Sequence, residues 1–477
     1  MIVRFILALW AARLAMFVAR VTGRGKGSSL PGKIALKIYP RILKQLGRQI
    51  KKGIIVVTGT NGKTTTNNMI AGIVGDNKGS GVIINREGAN LITGVTAAFI
   101  RAAGPFGGLH ADYACLEVDE ASFPGVVREI TPDIVVVTNF FRDQLDRYGE
   151  LDKTIALVKD ALKKLDSVRL VLNADDPLVA QLGRVTGKPS VFFGLARHPG
   201  VSGTGSAARE AKFCPFCGAE LAYSYYQYSQ LGNYKCPGCE FARPQTDVEG
   251  VDPGVDGMLV SCRVRFRQGN MYPLQIPVTG LYNLYNGLAA CSVGLLLDID
   301  MDGIRSSLAG YLPATGRMEK FLYRGKPVLL NLVKNPTGFN EGLSTLLSVP
   351  AERVNVLIAI NDNDADGRDI SWLWDVDFEV LSGAGEKFGT FVCSGRRAWE
   401  MAVRLKYAGV REETVTVLED FDQAVRTALE GTGDMSYFLA TYTALWPVER
   451  ILSGYAQRER TLPESVPSIS GSVKSVR

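Results

Sequence analysis

The chain has 477 residues, 46% of them hydrophobic and 21% charged, with a formal net charge of +6. That length suggests about three domains with large cores, and the composition excludes wholesale disorder. The mild positive charge argues against a nucleic-acid binder, and eight cysteines in so long a chain do not make a disulfide scaffold.

Residues 1 to 22 are apolar but carry Arg4, Arg13 and Arg20. Arg13 interrupts the apolar run that a signal peptide needs, and an arginine at mid-bilayer is costly, so neither a leader nor a spanning helix fits well. Arg13 and Arg20 fall on one side of a helix, with Phe5, Leu9, Trp10 and Phe17 elsewhere. Such a helix either lies in a membrane interface, helped by the basic segment Arg24 to Lys37, or packs on the protein itself. The residues leave both open. Residues 25 to 32 read as a Gly/Ser/Pro linker, so the first unit, residues 1–50, is expected to be an amphipathic helix and a basic linker.

From Lys52 to about Gly194 apolar runs alternate with helical segments. Strands are expected at Ile54–Val57, Val82–Ile84, Tyr113–Val118, Ile134–Thr138, Leu170–Asn173 and Val191–Phe193. This alternation predicts βαβ units, a parallel sheet, and ligand loops at the C-terminal strand ends. The first such loop, Gly59-Thr60-Asn61-Gly62-Lys63-Thr64-Thr65, joins a strand to a helix. Its glycines let backbone N–H groups face a phosphate, Lys63 adds a point charge, and the Thr64 hydroxyl can reach Mg²⁺. The spacing is a shorter form of the common phosphate loop, which has a glycine where Val57 stands. Glu117-Val118-Asp119-Glu120, Asn139 to Gly149, and Asn173-Ala174-Asp175-Asp176-Pro177 end later strands. Mg²⁺ and a nucleotide explain such loops better than solvated turns do.

A Gly/Ser/Ala-rich stretch precedes Cys214, Cys217, Cys236 and Cys239, whose C-x₂-C-x₁₈-C-x₂-C spacing is that of a zinc ribbon over about residues 205–245. A Cys₄ set is closed to substrate, so this Zn²⁺ is structural. Tyr223, Tyr225, Tyr226 and Tyr228 are expected to build the faces of the ribbon hairpin. Cys115, Cys262, Cys291 and Cys393 lie in apolar contexts and read as core. Residues 257 to 278 bring the chain back, a helix carrying Asn283 and Asn286 follows, and Gly316-Arg317 presents an arginine suited to a phosphoryl oxygen.

A second alternating series begins near Lys326, with strands expected at Val328–Leu332, Val354–Ile360, Thr390–Val392 and Thr414–Val417. Its polar centre runs from Asn361 to Asp369, with four carboxylates and Arg368 within residues 362–369. The loop imitates a calcium loop, but the acidic twelfth position is Leu373, so it is read as a site loop of another kind. The expected architecture is α/β throughout. It has a central ATP-binding domain over 51–320 with the ribbon inserted, a smaller C-terminal domain over 321–455, and a disordered tail over 456–477.

These motifs together resemble the Mur ligase superfamily of ATP-dependent amide ligases. Gly59 to Thr65 is similar to its phosphate loop, Glu117 sits where the family holds Mg²⁺, and Asn173 to Pro177 is similar to its NxDDP segment near the nucleotide. Leu281 to Asn286 resembles the helix whose first asparagine, here Asn283, touches adenine. Arg317 resembles the arginine that reaches the ATP phosphates. Two positions depart from the family. Gln144 stands for a metal-linked histidine in Asn139 to Asp146, and Lys334 stands for the histidine of the YAHNP segment. Both speak against ordinary amino-acid addition. With the Cys₄ insert and Gly367-Arg368-Asp369-Ile370-Ser371-Trp372, the chain is more similar to the synthetase subunits of lipid II isoglutaminyl synthases.

That resemblance implies a heterodimer with a GatD-type glutaminase and amidation of the D-glutamate α-carboxyl in the lipid II stem peptide. It also implies a catalytic aspartate at Asp369, near the partner's ammonia source. Lys63, Thr64 and Glu117 would clamp ATP and Mg²⁺, with Arg317 on the transferring phosphoryl group. Independently, a Cys-His glutaminase needs a thiolate beside a histidine, and the only histidines, His110 and His198, stand in no such setting. Nitrogen drawn from glutamine would have to come from a second polypeptide. The expected place of work is the cytoplasm, at or near the inner face of the membrane. The alternative is a stand-alone ligase of the Mur or folylpolyglutamate type.

Overall fold

The computed structural model describes residues 2–21, 29–79, 81–85, 89–142, 151–197, 210–256, 259–267, 269–313 and 316–459. Its first sheet contains β1 (Gly53–Thr58), β2 (Gly81–Ile84), β3 (Ala111–Glu117), β4 (Ile134–Val137), β5 (Arg169–Asn173) and β6 (Ser190–Leu195). A separate hairpin, β7 (Ala222–Tyr228) and β8 (Leu231–Lys235), follows, and then β9 (Val248–Asp256), β10 (Leu259–Phe266) and β11 (Met271–Ile276) rejoin the sheet. Its order is β11-β10-β9-β6-β5-β4-β1-β3-β2. Pairing is parallel from β2 to β9 and antiparallel from β9 to β11.

β1 is buried along its whole length because helices cover both faces of the sheet, which is why it reads as an unbroken apolar run. Successive side chains point to opposite faces. Ile54 and Val56 accordingly enter one core with Phe99 and Phe123, and Ile55 and Val57 enter another with Ile70 and Leu288.

The N-terminal region departs from the expectation of a linker. Leu30–Ile38 and Ile42–Gly47 are helices. Pro31 lies in the first turn, where a missing N–H costs nothing, and Gly32 is packed so closely that a Cβ there would stand 1.8 Å from the Thr93 carbonyl oxygen. Breaker residues were serving a helix start and a close helix contact. The first helix, Ile2–Val21, buries Phe5, Ala8, Leu9 and Ala12 in the core with Ala35 and Phe99, and Arg13 donates to the Ala103 carbonyl. Its outer face leaves Val3, Leu7, Trp10, Leu14, Phe17 and Val21 exposed. Of the two readings left open, packing on the protein is realised, and an apolar face remains.

The second sheet holds β12 (Glu319–Tyr323), β13 (Lys326–Leu332), β14 (Val354–Ala359), β15 (Phe388–Ser394), β16 (Val415–Val417), β17 (Met435–Ala440) and β18 (Gln457–Arg458). Their order is β16-β15-β14-β17-β13-β12-β18. The fully buried β17, central between β14 and β13, was not among the expected strands. The expected tail also starts too early. β18 pairs with β12, and Arg458 meets Glu319 and Glu449. Residues 460–477 lie outside the described residues. The described residues thus form an α/β unit on a nine-stranded sheet, with an inserted hairpin, and a smaller α/β unit, the class expected.

Candidate nucleotide and metal sites

The phosphate loop leaves β1, which lies between β4 and β3 in the first sheet, and enters the helix Lys63–Lys78. Gly59 and Gly62 have φ of 118° and 83°, in the region that favours glycine. A Cβ at Gly62 would lie 2.2 Å from Asn286 Oδ1, and one at Gly59 would lie 2.4 Å from Thr138 Oγ1. The loop is held from outside. Asn61 N donates to Asn139 Oδ1 (2.8 Å), and Thr138 Oγ1 donates to Asn61 O (2.8 Å). Lys63 is buried, its Nζ donating to Gly59 O (2.5 Å) and pairing with Glu120 Oε2 (3.2 Å). Glu120, one of the carboxylates of the acidic run after β3, is the lysine's counter-ion, a pairing that its place in the run does not reveal.

At the next position Thr64 Oγ1 donates to Glu117 Oε2 (2.7 Å), while Asn90 Nδ2 donates to Glu117 Oε1 (3.3 Å). Asn85 fixes the backbone of Glu117 from both sides, accepting from its N–H and donating to its carbonyl. A hydroxyl and a carboxylate oxygen side by side at a helix N-terminus fit a hard divalent cation such as Mg²⁺.

A cleft opens from this loop between the two units, lined by Asn61, Gly62, Asn283, Arg317 and Lys334 among others. Its apolar walls include Phe193, Tyr228, Val278, Tyr282 and Tyr285, enough flat surface to take a base. Asn283 Nδ2 donates to Thr279 O (2.7 Å), and its Oδ1 accepts from Asn286 (2.9 Å). The units meet across the loop through a reciprocal amide pair. Asn335 Nδ2 donates to Asn61 Oδ1 (3.1 Å), and Asn61 Nδ2 donates to Asn335 Oδ1 (3.4 Å).

The loop after β5 requires a correction. Asp175 and Asp176 are fully buried and engaged within the protein, not available to a metal. Asp176 accepts from Leu178 N as a helix cap and from Phe140 N, yet burial pushes its carboxyl up to about 7. Asp175 accepts from Arg243 Nε (2.6 Å), Tyr285 OH (2.6 Å) and Leu195 N (2.9 Å). Burial outweighs these partners and raises its carboxyl. Arg243 lies in the insert just after the last cysteine, so this carboxylate, which also accepts from Tyr285, ties the insert to the cleft.

The four cysteine sulfurs lie within 4.8 Å of one another, with Cys214 and Cys239 at 3.6 Å and Cys217 and Cys236 at 3.4 Å. Tetrahedral Zn–S bonds of about 2.3 Å place sulfurs roughly 3.8 Å apart, so the set fits zinc. The Phe216 and Gly238 N–H groups donate to Cys214 and Cys236, as in metal-binding knuckles. Tyr223 and Tyr226 stack on each other at 4.1 Å as hairpin faces. Tyr228 does not share that role, because it packs edge-on to Tyr285 and lines the cleft. Tyr234 OH donates to Ala174 O, and Gln230 donates to Phe140 O. The ribbon is a brace under the nucleotide cleft, which its sequence spacing gave no means of reading.

In the C-terminal loop three of the four carboxylates are spent on structure. Asp362 pairs with Arg397 (2.6 Å), Asp364 with Arg368 (2.8 Å), and buried Asp366 accepts from Thr443 N (2.7 Å) and its hydroxyl. Asp369 is exposed and accepts from Ser371 N (2.8 Å), which holds its carboxyl below the usual range. It stands outside the cleft that gathers Asn61, Asn283 and Arg317. His110 is exposed, and Gln144 and His198 lie outside the described residues.

Two family models match the chain, the Mur ligase middle domain over residues 57–213 and the MurT ligase C-terminal domain over 332–445. The MurT subunit of the glutamine-hydrolysing lipid II isoglutaminyl synthase of Staphylococcus aureus (strain COL) is 36% identical over 441 residues, covering 92% of this chain and 96% of that one. Its namesake in Streptococcus pneumoniae (strain ATCC BAA-255 / R6) is 35% identical over 448 residues, covering 94% and 96%. Among solved structures, the MurF ligase from Thermotoga maritima in complex with ADP shares the fold, with a TM-score of 0.61 and 12% identity over 88% of this chain and 83% of that one.

Proposed function

The chain belongs to the MurT family, and from that premise we propose that it is the synthetase subunit of a lipid II isoglutaminyl synthase. It activates the α-carboxyl of D-glutamate in the lipid II stem peptide and amidates it with ammonia from a GatD-type glutaminase. The carrying observation is the cleft in which Asn61 and Gly62 of the phosphate loop and Arg317 meet the second unit, with the Thr64–Glu117 pair at the start of the helix that follows the loop.

A carboxylate oxygen is a poor leaving group. Transfer of the ATP γ-phosphoryl turns it into an acyl phosphate, which ammonia attacks. Lys63 moves from its loop carbonyls to the phosphates, and Arg317 approaches the transferring group. Mg²⁺ held by Thr64 and Glu117 would neutralise the developing phosphate charge. Asn283 holds the base, and the zinc of the ribbon is structural. Asp369, exposed outside the cleft, faces the glutaminase in the heterodimer.

The substrate carries a long lipid, so the work is done at the cytoplasmic leaflet. The outer face of the first helix, with Trp10 51% and Phe17 65% exposed, suits that interface.

The test is co-purification with a glutaminase followed by glutamine- and ATP-dependent amidation of lipid II. Activity with a free amino acid and no glutaminase would overturn the reading in favour of a stand-alone ligase. Asp369→Asn should abolish glutamine-driven amidation and spare the ammonium-driven reaction. Wild-type activity with glutamine would remove Asp369 from the site.

A further inference from the structure

A second cleft opens beside the first and is lined by Arg142, Glu210, Asn340, Asp375 and Asp377. The two clefts share a wall to which Tyr228, Thr337 and Glu341 contribute. Arg142 reaches across the second cleft to Glu210 (3.7 Å) and Asp375 (3.5 Å), joining the two units. Its single positive charge is outnumbered by carboxylates, so the cleft admits a small cation and repels phosphate. The nucleotide cleft has the opposite character, with Arg317 and Lys334 in its lining.

Glu341 stands between them on the helix Pro336–Ser348. Asn335 caps that helix, accepting from Gly338 N (2.8 Å), and the same side chain is paired with Asn61 of the phosphate loop. One residue therefore sets the register of the Glu341 helix against the phosphate loop. Among the described residues no donor offsets the desolvation of the Glu341 carboxylate, and burial pushes it up to about 7. It faces Tyr228 and Tyr282, whose hydroxyls burial keeps neutral.

We propose that Glu341 is the proton acceptor for the attacking nitrogen, which reaches the acyl phosphate from the second cleft past the wall that Glu341 shares. This rests on the synthetase reading above. An ammonium ion gives one proton to the Glu341 carboxylate and becomes ammonia. The nitrogen lone pair forms the N–C bond, the bond from that carbon to the phosphate oxygen breaks, and its electron pair leaves with the phosphate. The excess proton on nitrogen passes to the departing phosphate. A carboxyl balanced near neutral pH can accept the first proton and release it again.

The test uses the complex with its glutaminase, driven by ammonium chloride, with wild type, Glu341→Gln and Glu341→Asp. The glutamine variant should lose about 100-fold or more in kcat, with partial recovery in the aspartate variant and unchanged ADP affinity. At fixed total ammonium the wild-type rate should rise to about pH 7 and level off, because the bound species is the ammonium ion. The glutamine variant should instead track free ammonia and keep climbing past pH 8. A variant within about twofold of wild type overturns the inference. So does a variant that is slow but keeps the wild-type profile, or one that loses ADP affinity in parallel. A wild-type complex that fails to amidate lipid II removes the synthetase reading and this inference together. Wild-type amidation matched by Glu341→Gln removes the inference alone.

Discussion

Arg243→Met should be among the most damaging changes outside the phosphate loop, because it strands a charge. The Asp175 side chain is 0% exposed and that of Arg243 12%, with 2.6 Å between them. Removing one member of a buried pair costs about 3–5 kcal/mol. Leu195 N–H and Tyr285 OH still donate to Asp175, which favours the lower end of that range. About 3 kcal/mol in a large unit lowers Tm by roughly 6–12 °C. The sign of the pH dependence follows from Asp175, whose native carboxyl burial already raises. Without the guanidinium it rises further, so the native state binds a proton more readily than the unfolded chain. The penalty is absent below the ordinary carboxylate range, grows as pH climbs through the native value, and is complete above it. Thermal melts of wild type, Arg243→Met and Arg243→Met/Asp175→Asn at several pH values read this directly. The double variant should recover at least half the loss, and the single variant should regain stability on acidification. A single variant melting within 2 °C of wild type, or a double variant no better than the single, would refute the stranded-charge argument.

Lys63→Ala should cut ATP-dependent turnover by about 10²–10³-fold, measured as phosphate release, and should also lower the melting temperature, because it strands the buried Glu120 carboxylate. Gly62→Ala should cost about 1–2 kcal/mol and abolish ADP binding by calorimetry, since its Cβ would stand 2.2 Å from Asn286 Oδ1 at a φ of 83°. Chelation of zinc, or Cys214→Ser, should loosen the ribbon and weaken ADP affinity, because Tyr234, Gln230 and Arg243 brace the cleft. Full ADP affinity at zero zinc by metal analysis would contradict this. Leu14→Glu/Phe17→Glu should lower sedimentation with anionic vesicles at least tenfold and leave the melt unchanged, both side chains being exposed.

Motifs whose meaning is local could be read along the chain. The phosphate loop, the cysteine spacing and the alternation of apolar runs with helices depend on neighbours a few residues away, so backbone geometry and ligand chemistry follow from order alone. β17 is not legible because, unlike the equally buried β1, its sequence Met-Ser-Tyr-Phe-Leu-Ala has no β-branched residue and a serine interrupts its apolar run. Pro31 and Gly32 were misread because breaker residues look the same in a linker and at a crowded helix start.

The functions of charged side chains depended on pairings distant in sequence. Asp175 is spent on Arg243, 68 residues away, and Lys63 is answered by Glu120, 57 residues away. Asn61 meets Asn335 across 274 residues, the contact that brings the second unit and its Glu341 onto the phosphate loop. Spacing shows which groups a loop carries. Burial and the partner brought in by the fold decide whether a carboxylate there binds a metal, caps a helix or takes a proton.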